Sequence, residues 1–530
     1  RINFYMCGIY GFYTPSFSDQ TLNWFKEIEN IMNHRGPDNK GSWLNHTKNI
    51  GLGFNRLAIM DLSENSNQPY TNQNLGLSLV FNGEIYNFKN LREELIKKGF
   101  KFNTEGEAEV LLYGYKQWGI ELVNKIEGMF AIVIYDIKKE KLILIRDIAG
   151  QKPLFYFYKD NNLFFSSELK VIIENSIVKK RLDFNSLADY LKFGNSLSPY
   201  TLIDNIFQLQ AGHYLILNLK NKEFQIKNYF ELRKQEFKNF SFQEKIDIFD
   251  NLFEESITQC LQSDVNKCIM LSGGLDSSLV VSKASKIEKK INTFTVKFSN
   301  SKKLDESFYA KKISNYYSTN HTEVDINDFD INDLKNLAFI SDNPIADSSL
   351  IPTFLISNKI SKSFKVAVGG DGSDELFGGY PLYQKIHILN YLKKFKPFKI
   401  FKNFQNIFYE NYRIKKILFF LLNDTSEELL LTKYFTDLKD LIIQKKNNNI
   451  RKSIDKTELE NDIVQKLSYL DFKYYLQNNI LTKTDRSSMH NSLELRSPFL
   501  SKKIINFAMN SLDGKDKSNI IDKKIFLKKY

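Results

Sequence analysis

The run Ser272-Gly273-Gly274-Leu275-Asp276-Ser277-Ser278 constrains this chain most, because it stands between a short apolar strand, Cys268 to Leu271, and a helical stretch, Leu279 to Lys286. A Gly-rich turn from strand into helix gathers backbone N–H groups and the positive end of a helix dipole, which together attract an anion. The hydroxyls of Ser272, Ser277 and Ser278 add donors, and Asp276 is suited to a Mg2+ ion that bridges phosphate oxygens. The Lys that ends a Walker loop is absent, so the turn suits a leaving pyrophosphate better than a transferred γ-phosphate. An ordinary strand-to-helix turn explains the glycines but not Asp276 among serines.

Around this loop, strands of Cys268 to Leu271, Thr293 to Phe298 and Val366 to Val368 alternate with helical stretches, the pattern of an α/β domain with a mainly parallel sheet. Loops at the carboxyl ends of such strands converge on a ligand crevice. The loop after Val366 to Val368 runs Gly369-Gly370-Asp371-Gly372-Ser373-Asp374-Glu375-Leu376-Phe377-Gly378-Gly379-Tyr380 and so should face the first. Carboxylates beside a triphosphate need a cation between them, and Mg2+ is the expected one. Farther on, Lys483 and Arg486 offer positive charge for a phosphoryl group.

The first two hundred residues read differently. Short runs rich in Val, Ile, Phe and Tyr (Gly76 to Phe81, Met129 to Tyr135, Leu142 to Ile145, Leu163 to Phe165) predict a strand-rich α+β domain, with a helix over Phe88 to Lys98 that Gly99 stops. We expect domains at 7–206 and 246–530, joined by a polar segment at 207–245 that opens on a tail of strand.

The 530 residues leave room for two to four domains, while 24 glycines and 10 prolines exclude a collagen-like or low-complexity chain. The longest apolar runs are short stretches such as Ile417 to Leu422, far from the ~20 residues that span a bilayer, so a cytoplasmic protein without a membrane partner is expected. The odd set Cys7, Cys260 and Cys268 cannot form a disulfide framework, and Cys260 and Cys268 read as core thiols. Six dispersed histidines show no ligand spacing, so no structural zinc is expected. The net charge is +12, and Lys385 to Lys416 mixes Lys and Arg with Phe and Tyr; without a binding motif this reads as solvated helix faces, and no nucleic-acid partner is expected. Met6, five residues in, is the expected start, and the chain is expected to continue past Tyr530, where a helical pattern breaks off.

With Met6 removed, Cys7 carries a free α-amine of pKa ~7.7 to 8 beside its thiol, a built-in base. An early cysteine is by itself more often a core thiol, but further motifs accompany this one. Cys7-Gly8-Ile9-Tyr10-Gly11, His34-Arg35-Gly36-Pro37-Asp38, Arg56 to Asp61, Asn82-Gly83-Glu84-Ile85-Tyr86-Asn87 and Arg146-Asp147 resemble a class II glutamine amidotransferase domain. With the two Gly-rich loops, the whole chain from Met6 resembles the glutamine-hydrolysing asparagine synthetase family.

That resemblance implies an N-terminal-nucleophile hydrolase fold in α-β-β-α layers, followed by an α/β ATP-pyrophosphatase domain. It implies that Cys7 attacks the glutamine amide, that Asn82 and Gly83 form the oxyanion hole, and that Arg56 takes the glutamine carboxylate. Glu84 and Glu107 would take its ammonium, and Leu57, Ala58, Ile59 and Met60 would line the pocket. ATP would lie on Ser272 to Ser278, with Leu271 and Val296 near the adenosine and Gly369 and Gly370 near the nucleotide. Asp276 and Asp374 would hold Mg2+, Asp371 would assist at the aspartyl-adenylate, and Lys483 would stabilise phosphate charge. The implied substrates are glutamine, aspartate and ATP; the implied assembly is a homodimer. Where the family usually has Asp, this chain has Glu107; it has Asp342-Asn343-Pro344 for Asp-Glu-Pro, Gly369 for a common Ser, and Ser501 for a common Asp. A different acceptor carboxylate on the same architecture is the alternative, and a basic RNA- or membrane-associated protein with degenerate sites a third.

Overall fold

A computed structural model describes residues 7–16, 18–36, 38–232, 240–301, 303, 305–326, 330–393 and 462–530. The expectations for Met6 and the start of the chain, for Pro37, for the run Ile417 to Leu422 and for most of the basic stretch after Lys393 lie outside the described residues.

Among the described residues, seventeen strands form three sheets. They are β1 (Gly8–Tyr13), β2 (Asn39–Asn45), β3 (Ile50–Arg56), β4 (Tyr70–Asn72), β5 (Leu77–Ile85), β6 (Gly128–Asp136), β7 (Lys141–Arg146), β8 (Phe155–Lys159) and β9 (Asn162–Ser166). There follow β10 (Ile206–Gln208), β11 (His213–Asn218), β12 (Phe224–Asn228), β13 (Lys267–Met270), β14 (Asn292–Lys297), β15 (Asn320–Asp325), β16 (Val366–Val368) and β17 (Glu494–Arg496). Two antiparallel sheets, in the orders β10-β8-β9-β1-β3-β2 and β12-β11-β7-β6-β5-β4, make up the first half.

Side-chain alternation along each strand creates the layers. In β1, Ile9 and Tyr13 enter the core between the sheets, with Val80, Val133 and Leu144 from the facing sheet. Tyr10 and Phe12 point the other way, onto Trp24, Phe25 and Ile28 of the helix Asp19–Ile31. On the outer face of the second sheet, Leu79, Phe81 and Ile134 meet Leu91, Leu95, Leu111 and Leu112 of the helices Phe88–Lys97 and Glu107–Trp118. The order is helix, sheet, sheet, helix. The segment 207–245 supplies β11 and β12 to the second sheet, and β11 lies beside β7 because its alternate residues Leu215 and Leu217 fill the inter-sheet core.

The second half begins with the helix Phe242–Cys260, whose start is fixed by a reciprocal cap between Ser241 and Glu244. Its sheet, β15-β14-β13-β16-β17, is parallel throughout. Phe249, Phe253, Ile257 and Cys260 of that helix pack with Val280, Val281 and Ala284 of the helix Leu275–Ile287. Cys268 is buried in β13. Among the described residues no helix is long and apolar enough to cross a membrane.

Candidate functional site

Cys7 sits at the head of β1, half-buried, where its Sγ accepts a hydrogen bond from the Leu57 N–H at 3.2 Å and donates to the Leu57 carbonyl at 3.4 Å. Burial pushes the thiol up to about 12; the Leu57 N–H pulls it down, and Glu494 and Glu84 push it further up. At neutral pH the thiol is therefore protonated and needs a base to become a nucleophile. Asn82 on β5 is fully buried, and neither polar atom of its side-chain amide has a hydrogen-bond partner among the described residues. A buried, unsatisfied amide costs about 1–3 kcal/mol and is a feature to be explained by an absent ligand atom.

The other residues expected around glutamine come together here. Arg56, at the end of β3, donates from Nη1 to Ser63 O at 2.8 Å and Asn67 Oδ1 at 2.6 Å, and from Nη2 to Asp61 O, so its guanidinium is held in one orientation. Leu57 and Ile59 pack with Met489 and Val366 of the second half, Cys7 and Met60 lying against them. Glu107 is the first residue of its helix, and its Oε1 accepts from Ile85 N at 2.7 Å. Glu84, adjacent on β5, lies 3.2 Å from Arg496 Nη2 of the second half. Burial raises Glu84 to about 8, with Arg496 opposing and Glu494 adding; burial, then the Glu84 charge, carries Glu107 well above the ordinary carboxylate range.

In the second half, Gly273 has φ +81, and an added Cβ would lie 2.6 Å from the Ala310 backbone nitrogen, so the loop is drawn tightly under the helix Ser307–Tyr316. Gly274 caps the helix Leu275–Ile287, which therefore begins inside the loop and points its N-terminal dipole at the turn. Ser272 N donates to Ser277 Oγ at 3.2 Å, and Ser278 Oγ donates to Gly274 O at 2.7 Å. Leu271 is buried just past β13, and Val296 lies on the neighbouring β14. A Cβ on Gly370 would fall 3.1 Å from the Asp276 Cβ, which brings the two Gly-rich loops into contact; one on Gly369 would meet nothing within 4 Å, so a Ser there has room.

Between the loops lies a residue the sequence did not point to. Lys524 Nζ forms ion pairs with Asp276 Oδ2 and, at 2.7 Å, with Asp374 Oδ1, while Ser373 Oγ donates to Asp276 Oδ1 at 2.8 Å. Burial raises the Asp276 carboxyl; Lys524 opposes this and Asp374 adds to it. Lys524 stands in a basic tail whose composition marks no single lysine. Two carboxylates facing one cationic position are a donor set suited to Mg2+, which takes one or two carboxylates and completes its shell with phosphates and water. No cluster of three or more potential ligands is found among the described residues.

The helix Leu481–His490 carries Lys483 and, through Thr484, reaches Asp371. Thr484 Oγ1 donates to Asp371 Oδ2 at 3.0 Å, and the nearly buried Lys483 donates from Nζ to Ser349 Oγ at 3.0 Å. A narrow cavity of about 20 Å3 connects these elements, lined by Gln151 and Lys152 of the first half and by Asp371, Thr484, Asp485 and Arg496 of the second. Its volume suits one molecule of about the size of water. Asn343, one of the departures noted above, hydrogen-bonds through Nδ2 to Ser196 Oγ at 2.9 Å, which places it at the contact between the halves.

Residues 6–230 match the glutamine amidotransferase domain family, and residues 249–530 match the asparagine synthase family. The chain is 30% identical over 520 residues to the glutamine-hydrolyzing asparagine synthetase 1 of Bacillus subtilis, a match covering 95% of this chain and 80% of that protein. It is 35% identical over 419 residues to a putative glutamine-hydrolyzing asparagine synthetase 2 of Methanocaldococcus jannaschii, covering 73% and 78%. A third relative, asparagine synthetase 3 of Bacillus subtilis, is 28% identical over 529 residues, covering 95% and 81%.

Proposed function

The chain belongs to the asparagine synthase family, and on that premise we propose that it converts aspartate, ATP, glutamine and water into asparagine, AMP, pyrophosphate and glutamate. The observation that carries the reading is the extent of the similarity: one relative bearing that activity in its name matches both halves at once, over 520 residues. Another acceptor carboxylate is not favoured, since the relatives compared above are named for asparagine.

In this reading Cys7 attacks the glutamine side-chain amide, the tetrahedral intermediate collapses to a thioester as ammonia leaves, and water then hydrolyses the thioester to free glutamate. A free Cys7 α-amine takes the thiol proton and passes it to the leaving nitrogen. Asn82, with its unpaired amide, and the Gly83 N–H donate to the tetrahedral oxyanion. Arg56, already fixed by three acceptors, offers its remaining N–H groups to the glutamine carboxylate. Glu84 and Glu107 receive the ammonium, and the backbone from Leu57 to Met60 lines the pocket.

In the second half, Ser272, Gly273, Gly274, Ser277 and Ser278 hold the pyrophosphate of ATP, with Leu271 and Val296 near the adenosine and Gly369 and Gly370 along the nucleotide. Asp276 and Asp374 would hold Mg2+, which would neutralise phosphate charge when bound. Lys483 supports the same charge, and Asp371 assists formation or breakdown of the aspartyl-adenylate. Ammonia crosses by the cavity between Lys152 and Asp371, which keeps it from the bulk water that would protonate it. The halves divide within 207–245, and a homodimer is proposed on the family pattern alone.

The test is isotopic. With aspartate labelled by 18O in its side-chain carboxyl, an adenylate mechanism puts one 18O into AMP; label confined to asparagine and aspartate would refute it.

A further inference from the structure

Arg496 touches both sites, one through its side chain and the other through its backbone. Its guanidinium is buried, with Nη2 at 3.2 Å from Glu84 Oε1 across the boundary between the halves. Nε donates to Glu494 Oε1 at 2.8 Å, and Nη1 donates to Cys260 O at 3.2 Å and Gln262 O at 2.5 Å. Nη2 has no aligned hydrogen bond, so its hold on Glu84 is electrostatic and its N–H groups are still to be placed. The Arg496 carbonyl accepts from Gly369 N at 2.9 Å, and β17 runs beside β16 with Arg496 opposite Val368. One residue therefore meets the carboxylate expected at glutamine and the first residue of the loop expected at the nucleotide.

Three buried acidic side chains, Glu84, Glu107 and Glu494, stand around two buried cations, Arg496 and Lys152. Burial pushes the Glu84 and Glu107 carboxyls toward their neutral forms, so both cations serve chiefly Glu494. A ligand ammonium at Glu84 and Glu107 favours their ionised forms and so draws Arg496 Nη2 onto Glu84. In the opposite direction, a nucleotide that orders the Gly369 loop fixes β17, and with it Arg496 and Glu84, before glutamine arrives. Ordering already completed lowers the cost of the second binding event.

We infer that Arg496 is a positioning residue that couples glutamine binding at Glu84 to nucleotide binding at the loop Gly369 to Asp371. The inference rests on the function proposed above and adds a linkage to it, which by thermodynamic necessity acts equally in both directions.

The experiment uses the full chain carrying Cys7→Ala, so that glutamine is bound but not hydrolysed, titrated calorimetrically with glutamine. One series is run alone and one with saturating aspartate, Mg2+ and α,β-methylene-ATP. Glutamine is expected to bind about fivefold tighter in the second series. Adding Arg496→Lys should bring that ratio within twofold of unity. Glu494→Gln, which loosens the opposite tie of the guanidinium, should at least halve it and serves if Arg496→Lys does not fold. Equal affinities in the two series, or a ratio unchanged by the substitutions, overturn the coupling while leaving the glutaminase reading intact. Absence of any glutamine binding overturns both.

Discussion

Arg35 grips Asp485 with both of its terminal nitrogens, Nη1 to Oδ2 at 3.0 Å and Nη2 to Oδ1 at 3.1 Å, while its Nε donates to the carbonyl of Cys7 at 3.2 Å. Cys7, the proposed nucleophile of one half, is thus anchored by a side chain that the other half holds in place. The pair is fully buried and is continued by Glu168, 3.1 Å from Arg35 Nη1. Removing one partner of such a pair leaves an unmatched buried charge and typically costs about 3–5 kcal/mol. Asp485→Asn should therefore lower the melting temperature in calorimetry and separate the unfolding of the two halves, and should slow glutamate release by loosening Cys7. A variant that melts like the parent would show that the pair contributes nothing to the seam.

Asn82→Ala removes the one buried amide left without partners on β5. Loss of an oxyanion donor typically costs about 100- to 1,000-fold in kcat. Glutamate formation without ATP should fall by that order while the glutamine KM changes little. A rise in KM at constant kcat would make Asn82 a binding group instead.

Below pH 8 the Glu84 carboxyl, raised to about 8 chiefly by burial, keeps its proton. If Glu84 receives the glutamine ammonium as proposed, that charge favours the ionised form and binding expels the proton. The KM for glutamine should accordingly rise as the pH falls from 8 to 6, by up to about tenfold per unit. Glu84→Gln should give a high KM that no longer depends on pH over this range.

Asp276→Asn and Asp374→Asn each remove one carboxylate from the pair that Lys524 now bridges. Exchange of labelled pyrophosphate into ATP, measured with aspartate and Mg2+, should fall about a hundredfold or more in each. Retained exchange would place the metal elsewhere.

A free Cys7 amine is required by the proposed chemistry. Protein released by a protease so that Cys7 is its first residue should hydrolyse glutamine, whereas protein made to retain Arg1 to Met6 should be nearly inactive, with intact mass confirming each form.

Local chemistry was legible in the sequence. The Gly-rich turn Ser272 to Ser278 stands out because serines and Asp276 recur within it, and the sheets of the first half because apolar residues alternate along β1 and β5. The segment 207–245 was harder to read, since β11 and β12 are short and polar on one side, and only their pairing, β12 on β11 and β11 on β7, identifies them as sheet. Lys524, Arg496 and the bond between Arg35 and Asp485 are contacts between residues far apart in the chain. Arg35 lay in a recognised motif, but nothing local to it names a partner 450 residues away. Asn343, noted only as a departure from the family pattern, bonds Ser196 across the seam.

The most direct test of the central claim supplies the protein, with Cys7 as its first residue, with ATP, Mg2+, aspartate and glutamine, and follows products by mass spectrometry. The account predicts asparagine, AMP and glutamate in equal amounts, with the asparagine amide nitrogen drawn from 15N-amide glutamine. Glutamate accumulating without asparagine or AMP would contradict it.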